Sequence, residues 1–107
     1  MISATRPVYQ YAGRVIRVKD ADTYEILIDL GFRVSLTVPV RLHGFNAPEI
    51  GTPEGDAVAV VARAALEGQS VIVQSYRDRR SFERWVADVW LDGQHVGIVL
   101  GLAPRPD

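Results

Sequence analysis

Phe32-Arg33-Val34-Ser35-Leu36-Thr37-Val38-Pro39-Val40-Arg41-Leu42-His43 alternates apolar and polar positions without a break. Phe32, Val34, Leu36, Val38, Val40 and Leu42 share one parity; Arg33, Ser35, Thr37, Pro39, Arg41 and His43 share the other. Side chains along a strand point to opposite faces with period two, so the stretch reads as one strand with an apolar face on a core and a polar face toward water. A strand this long bends or bulges, and Pro39, which has no N–H, marks a missing ladder bond. Long curled strands of this kind belong to small barrels rather than flat sheets.

Upstream, residues 13–19 are rich in β-branched side chains and read as a first strand, and residues 24–29 as a second, with Leu30-Gly31 turning the chain. Residues 1–12 carry Pro7 and no clear period, and are expected to form a partly ordered lead-in. Downstream, residues 44–51 are a loop. Thr52-Pro53-Glu54 is a helix start: a hydroxyl N-cap, proline at the first helical position and an acid facing the positive helix end. Val58, Val61, Ala62, Ala65 and Leu66 form the expected buried stripe, and Gly68 stops the helix. Residues 70–76 and 84–91 read as strands four and five, joined by a basic loop. Asp92-Gly93 is a hairpin turn. Residues 94–102 supply one short strand or a turn or two of helix, and Pro104 and Pro106 end the order in a tail over 103–107. Three strands, one helix and two strands make a mainly β, α+β domain over 13–102. That connectivity is a five-stranded OB-fold barrel with its helix after strand three.

A chain of 107 residues holds one core. With 48% hydrophobic residues it is globular, and no apolar run reaches the length of a membrane span. Cysteine is absent, which removes disulfides, thiol nucleophiles and thiolate metal sites together. No basic region followed by an apolar run opens the chain, so a cytoplasmic location is expected. The net charge of −1 and pI near 6.1 exclude a domain that grips nucleic acid by bulk charge, so a polyanion must be met locally. The densest basic cluster is Arg77, Arg79, Arg80 and Arg84. Tyr76 and Phe82 flank it, where they either stack bases or pack. His43 is either a proton donor near the site or a surface histidine, and His95 a turn neighbour. Trp85 and Trp90 have opposite parity, so one belongs in the core and the other on a surface.

Singly, Asp20 and Asp22 are ordinary turn formers, Glu49 a loop acid and Arg41 a solvated strand residue. Together they gain meaning. Asp22 opens the hairpin of strands two and three, and Asn46-Ala47-Pro48-Glu49 closes it, so both loops emerge at one end of the sheet with Arg41 just inside. Hard oxygen donors beside guanidinium groups suit a divalent cation holding a phosphate diester.

These segments resemble the staphylococcal (micrococcal) nuclease family. Val18-Lys19-Asp20-Ala21-Asp22-Thr23 is similar to its aspartate-glycine-aspartate-threonine turn. Val40-Arg41-Leu42-His43-Gly44-Phe45-Asn46-Ala47-Pro48-Glu49 is similar to its arginine-leucine…aspartate-(alanine or threonine)-proline-glutamate segment, and the stretch from Phe82 to Gly93 to its tyrosine-glycine-arginine strand and turn. The resemblance implies a calcium-dependent nuclease acting on DNA or RNA with little base specificity, magnesium or manganese being alternative ions. It makes Asp22 the main metal carboxylate, Asn46 a second ligand, Ala47 a backbone-carbonyl ligand and Asp20 a nearby acid. Thr23 becomes a supporting hydroxyl, Arg41 and Arg84 the phosphate-holding arginines, and Glu49 the residue that activates water. Arg77, Arg79, Arg80, Tyr76 and Phe82 would bind substrate. The chain departs from the family at Asn46, which gives up one negative charge, and at Ala21, which would strain a turn needing positive φ. It departs also at Phe82-Glu83 and in the absence of most of the last helix. That absence predicts an exposed barrel edge, free or covered by a second copy or another partner. The alternative is a non-catalytic OB-type domain binding nucleic acid or protein.

Overall fold

The structure, a computed structural model, describes residues 9–81 and 84–105, with backbone alone over 77–81. Five strands close a barrel: β1 (Gln10–Asp20), β2 (Thr23–Asp29), β3 (Ser35–Leu42), β5 (Ser70–Ser81) and β6 (Arg84–Leu91). Each pairs antiparallel with its neighbour in the order β3-β2-β1-β5-β6, and the cycle closes through a parallel β3–β6 contact, Val40↔Trp85 to Leu42↔Ala87. Helix α1 (Pro53–Leu66) follows β3, as the OB connectivity requires. A short β4 (Phe45–Asn46) precedes it, and β7 (Gln94–His95), α2 (Val96–Val99) and β8 (Ala103–Pro104) complete the chain.

The core lies inside the barrel and under α1, built on Val15, Val18, Tyr24, Ile26, Leu42 and Val89. Thr52 caps α1 by accepting from the Gly55 N–H (3.0 Å), and Gly68, at φ +82°, ends it. β1 is bulged at Val15/Arg17 and again at Val18/Asp20. The end of α1 braces the second bulge: Val18 N–H donates to Glu67 Oε2 (2.9 Å), and Arg63 donates to the carbonyls of Val18 and Lys19 (3.4 Å each). A bulge bends its strand and re-aims the adjoining residues, here the Asp20–Asp22 turn. Among the described residues no helix is long and apolar enough to cross a membrane.

Several expectations are corrected. β1 begins at Gln10, inside the supposed lead-in, because residues 10–14 pair with β5. β3 begins only at Ser35: Gly31, Phe32 and Arg33 all have positive φ, folding the start of the alternating stretch into a tight turn. Phe32 is thus 100% exposed and Leu36 53%, and only Val40 and Leu42 of that parity are fully buried. In α1 the stripe runs through Gly55, Ala59, Ala62 and Leu66, and Val61 is 56% exposed, one helical step off the buried face. The basic segment is strand rather than loop, since β5 continues to Ser81, opposite Arg84. Neither tryptophan is in the core: Trp85 lines an apolar groove of about 250 Å³, and Trp90 meets His95 edge-on. Ala103 and Pro104, expected in a tail, pair with Asn46 and Phe45. The barrel opens beside residues 35–39 of β3, which pair with β2 and not with β6.

Candidate functional site

Three distant segments converge at one end of the barrel. The β1–β2 turn supplies Asp20 and Asp22, the β3–β4 segment supplies Arg41, Asn46 and Ala47, and the first residue of β6 is Arg84. Register makes the convergence inevitable. Thr23 lies opposite Arg41, Arg41 lies beside Val86, and Leu42 N–H donates to the Asp22 carbonyl (2.8 Å).

Asp22 is only 7% exposed. Its Oδ2 accepts from the Ala47 N–H (2.8 Å) and lies 3.3 Å from Arg41 Nη1, while Oδ1 accepts from the Thr23 hydroxyl (3.2 Å). Arg41, 6% exposed, is held by further oxygens: Nη1 donates to the carbonyls of Leu42 (3.1 Å) and Phe45 (2.9 Å), and Nη2 to Asn46 Oδ1 (2.5 Å). Arg84 Nη1 donates to Thr23 Oγ1 (3.3 Å). The Thr23 hydroxyl therefore links the carboxylate and the second guanidinium, donating to Asp22 and accepting from Arg84. Ala21 is not among the positive-φ residues, so it fits the turn without the strain expected of a glycine replacement.

The two carboxyls are driven apart. Burial, then the hydrogen bond to Asp22 and the charge of Asp22, push Asp20 up to about 6. Burial also works against ionised Asp22, but the hydrogen bonds from Asp20 and Ala47 N–H and the Arg41 charge outweigh it and hold Asp22 below the usual carboxylate range. Burial lowers Arg41 from its ordinary value; Asp22 opposes this, and the charges of Arg105 and Arg84 add to it. Arg105, missed in the sequence, therefore belongs to this neighbourhood. Only the pairing of β8 with β4 brings it there, with Arg105 N–H donating to the Gly44 carbonyl (2.8 Å).

Glu49 stands apart. Its carbonyl is fixed by Thr52, through Oγ1 (2.6 Å) and N–H (3.3 Å), but its carboxylate is exposed and makes no hydrogen bond or ion pair with the described residues. Arg77, Arg79 and Arg80 run along β5 toward Arg84; their side chains, and Phe82 entirely, lie outside the described residues.

Tyr76 belongs to a second cluster. Its hydroxyl donates to Asp88 Oδ2, and its ring lies 4.6 Å from that of His43. Asp88 Oδ1 also meets His95 Nε2 (2.9 Å) and His43 Nδ1 (3.3 Å). Because His95 Nδ1 accepts from the Gly97 N–H (3.0 Å), the hydrogen of that ring is on Nε2, facing the carboxylate. His43 and His95, the latter next to the Asp92-Gly93 turn as expected, are thus partners of one acid. No signal in the sequence marked the cluster: the parallel pairing of β3 with β6, Leu42 opposite Ala87, is what sets residue 43 next to 88.

Asp22, the Asn46 amide and the Ala47 carbonyl are hard oxygen donors of the kind calcium takes, with a single depressed carboxylate as anionic centre. The described residues include no group of three or more His, Cys, Asp or Glu arranged to hold a metal. The donors fit calcium in kind, with a low anionic charge. No protein-family model matches the chain and no curated protein matches it, so the functional reading rests on residues and geometry.

Proposed function

We propose that this protein is a metal-dependent phosphodiesterase that cuts DNA, and RNA as an alternative substrate, with low sequence specificity. One observation carries the reading: Asp22, Asn46, Arg41 and Arg84, from three separate segments, are joined by direct hydrogen bonds and an ion pair through Thr23 and Arg41. Opposed charges concentrated on one small surface suit the binding of a phosphate diester.

Asp22, Asn46 and the Ala47 carbonyl would hold calcium, or magnesium or manganese, with Asp20 behind them. When bound, the ion supplies positive charge to the non-bridging phosphate oxygens. Arg84, half-buried at the mouth, donates to one of those oxygens. Arg41, committed to protein acceptors, contributes a fixed charge that needs no reorganisation as negative charge grows in the transition state. Glu49, on the exposed loop after Ala47, takes the proton of the attacking water. Arg77, Arg79 and Arg80, in the backbone of β5 on the way to Arg84, and Tyr76 of the same strand would be further substrate-binding residues, with Phe82 after them in the chain.

A second reading is a non-catalytic nucleic-acid- or protein-binding domain. It is favoured by Arg41 itself, which already takes Asp22 Oδ2 and Asn46 Oδ1 and so does internally what a cation would do. Incubating the purified protein with single- and double-stranded DNA and with RNA, in calcium, magnesium, manganese or chelator, separates the two. Metal-dependent cutting is the expected outcome; salt-sensitive binding with intact strands in every metal would leave the second reading.

A further inference from the structure

Arg105 has no part in the proposed chemistry, yet the fold delivers it to the same place. β8 runs antiparallel to β4, pairing Ala103 with Asn46 and Pro104 with Phe45. The next residue is Arg105, whose backbone N–H donates to Gly44 (2.8 Å). Each of these partners touches the Arg41 apparatus: Asn46 accepts from Arg41 Nη2, the Phe45 carbonyl accepts from Nη1, and Gly44 is the next residue back. Arg105 therefore springs from a strand one ladder spacing, about 4.8 Å, from the segment that grips Arg41. It is half-buried.

Arg105 thus joins Arg41 and Arg84 at the end of the barrel that carries Asp20 and Asp22. In a chain with net charge −1, this is a local surplus of cations. Arg84 takes one phosphate, with the fixed charge of Arg41 behind it. A further guanidinium, displaced along β8, suits the next negative charge on the same polymer, since phosphates repeat along a nucleic-acid strand and a planar fork pairs with each.

We propose that Arg105 is a further phosphate-binding residue, taking the phosphate adjacent to the one held at Arg84, so that the site grips two consecutive phosphates of a single strand. This rests on the nucleic-acid reading above. The test is the salt dependence of binding of a short single-stranded DNA, followed by fluorescence anisotropy. It is run in chelator, and again in calcium with a strand whose bridging oxygens are replaced by methylene so that cutting is blocked. Each phosphate contact on a single strand contributes about 0.7 to the slope of log affinity against log salt. Arg105→Ala, which keeps the backbone bond to Gly44, is expected to reduce the slope by about 0.7, and Arg105→Lys to retain it. An Arg105→Ala slope and affinity equal to wild type, while Arg84→Ala weakens binding, would overturn the role of Arg105 and leave the nucleic-acid reading standing. A wild-type protein without salt-dependent binding under either condition would overturn both.

Discussion

Asp88 holds together three side chains from separate elements, and it is one of the residues through which pH reaches the fold. Burial disfavours its charge, but the hydrogen bonds from Tyr76 and His95 and the proximity of His43 prevail, so its carboxyl is held below the ordinary value of 3.8. A carboxylate depressed on folding stabilises the native state above its unfolded pKa, and that contribution is lost as pH falls through the folded one. Asp88→Asn is therefore expected to lower unfolding free energy at pH 7 by about 1–3 kcal/mol, the usual effect of spoiling a buried charged acceptor. The deficit should narrow below about pH 4. Urea unfolding of both proteins at pH 7 and pH 3 measures this, and a gap that widens in acid would contradict it. Sequence made Asp22, Arg41 and Asn46 visible because turn residues and strand parity put them at one end of a hairpin. It hid Asp88, because a single acid on a strand acquires partners only when β3 and β6 lie side by side. The tie of the Glu49 carbonyl to Thr52 was equally hidden: adjacency in the chain fixed the loop, while its internal bonds depend on local packing.

α1 illustrates how an element sets a loop. Gly55 is buried in its first turn, where an added Cβ would sit 1.7 Å from the Glu49 carbonyl oxygen and 2.9 Å from that of Pro48. Both neighbours are backbone, so neither can swing aside. Gly55→Ala is expected to destabilise the protein by about 1–3 kcal/mol, as overpacking does, and to lower cleavage by shifting the Asn46–Glu49 loop. Wild-type urea stability in that variant would show that the loop yields freely. The cap at Thr52, the stop at Gly68 and the Asp92-Gly93 turn were legible because each depends on local backbone chemistry. The true start of β3 was not. Period-two alternation continues through Phe32 and Val34, but positive φ at Phe32 and Arg33, both unusual residues for that region, ends the strand first. Pairing also decided β8, since two residues with a proline carry no strand signal of their own.

Across the whole molecule, strand count and helix position specified the barrel, because alternating strands with one helix after the third leave few ways to close a sheet. The closing contact itself is short, Val40 to Leu42 against Trp85 to Ala87, and it is the contact that brings Arg84 to Thr23 and Asp22. Fold and site are therefore one feature: the parallel pairing that completes the barrel also completes the cationic side of the site. The charge distribution fits this, with a near-neutral chain that pairs Arg41 with Asp22 and brings Arg84 to the neighbouring Thr23. The decisive measurement is single-turnover cleavage of a short DNA in calcium by the wild type, Arg84→Ala and Arg41→Ala, with circular dichroism confirming that each is folded. The expected result is metal-dependent cutting that falls on the order of a hundredfold or more in Arg84→Ala, the scale of losing one electrostatic stabiliser, and falls also in Arg41→Ala. Cleavage at the wild-type rate by folded Arg84→Ala would contradict it.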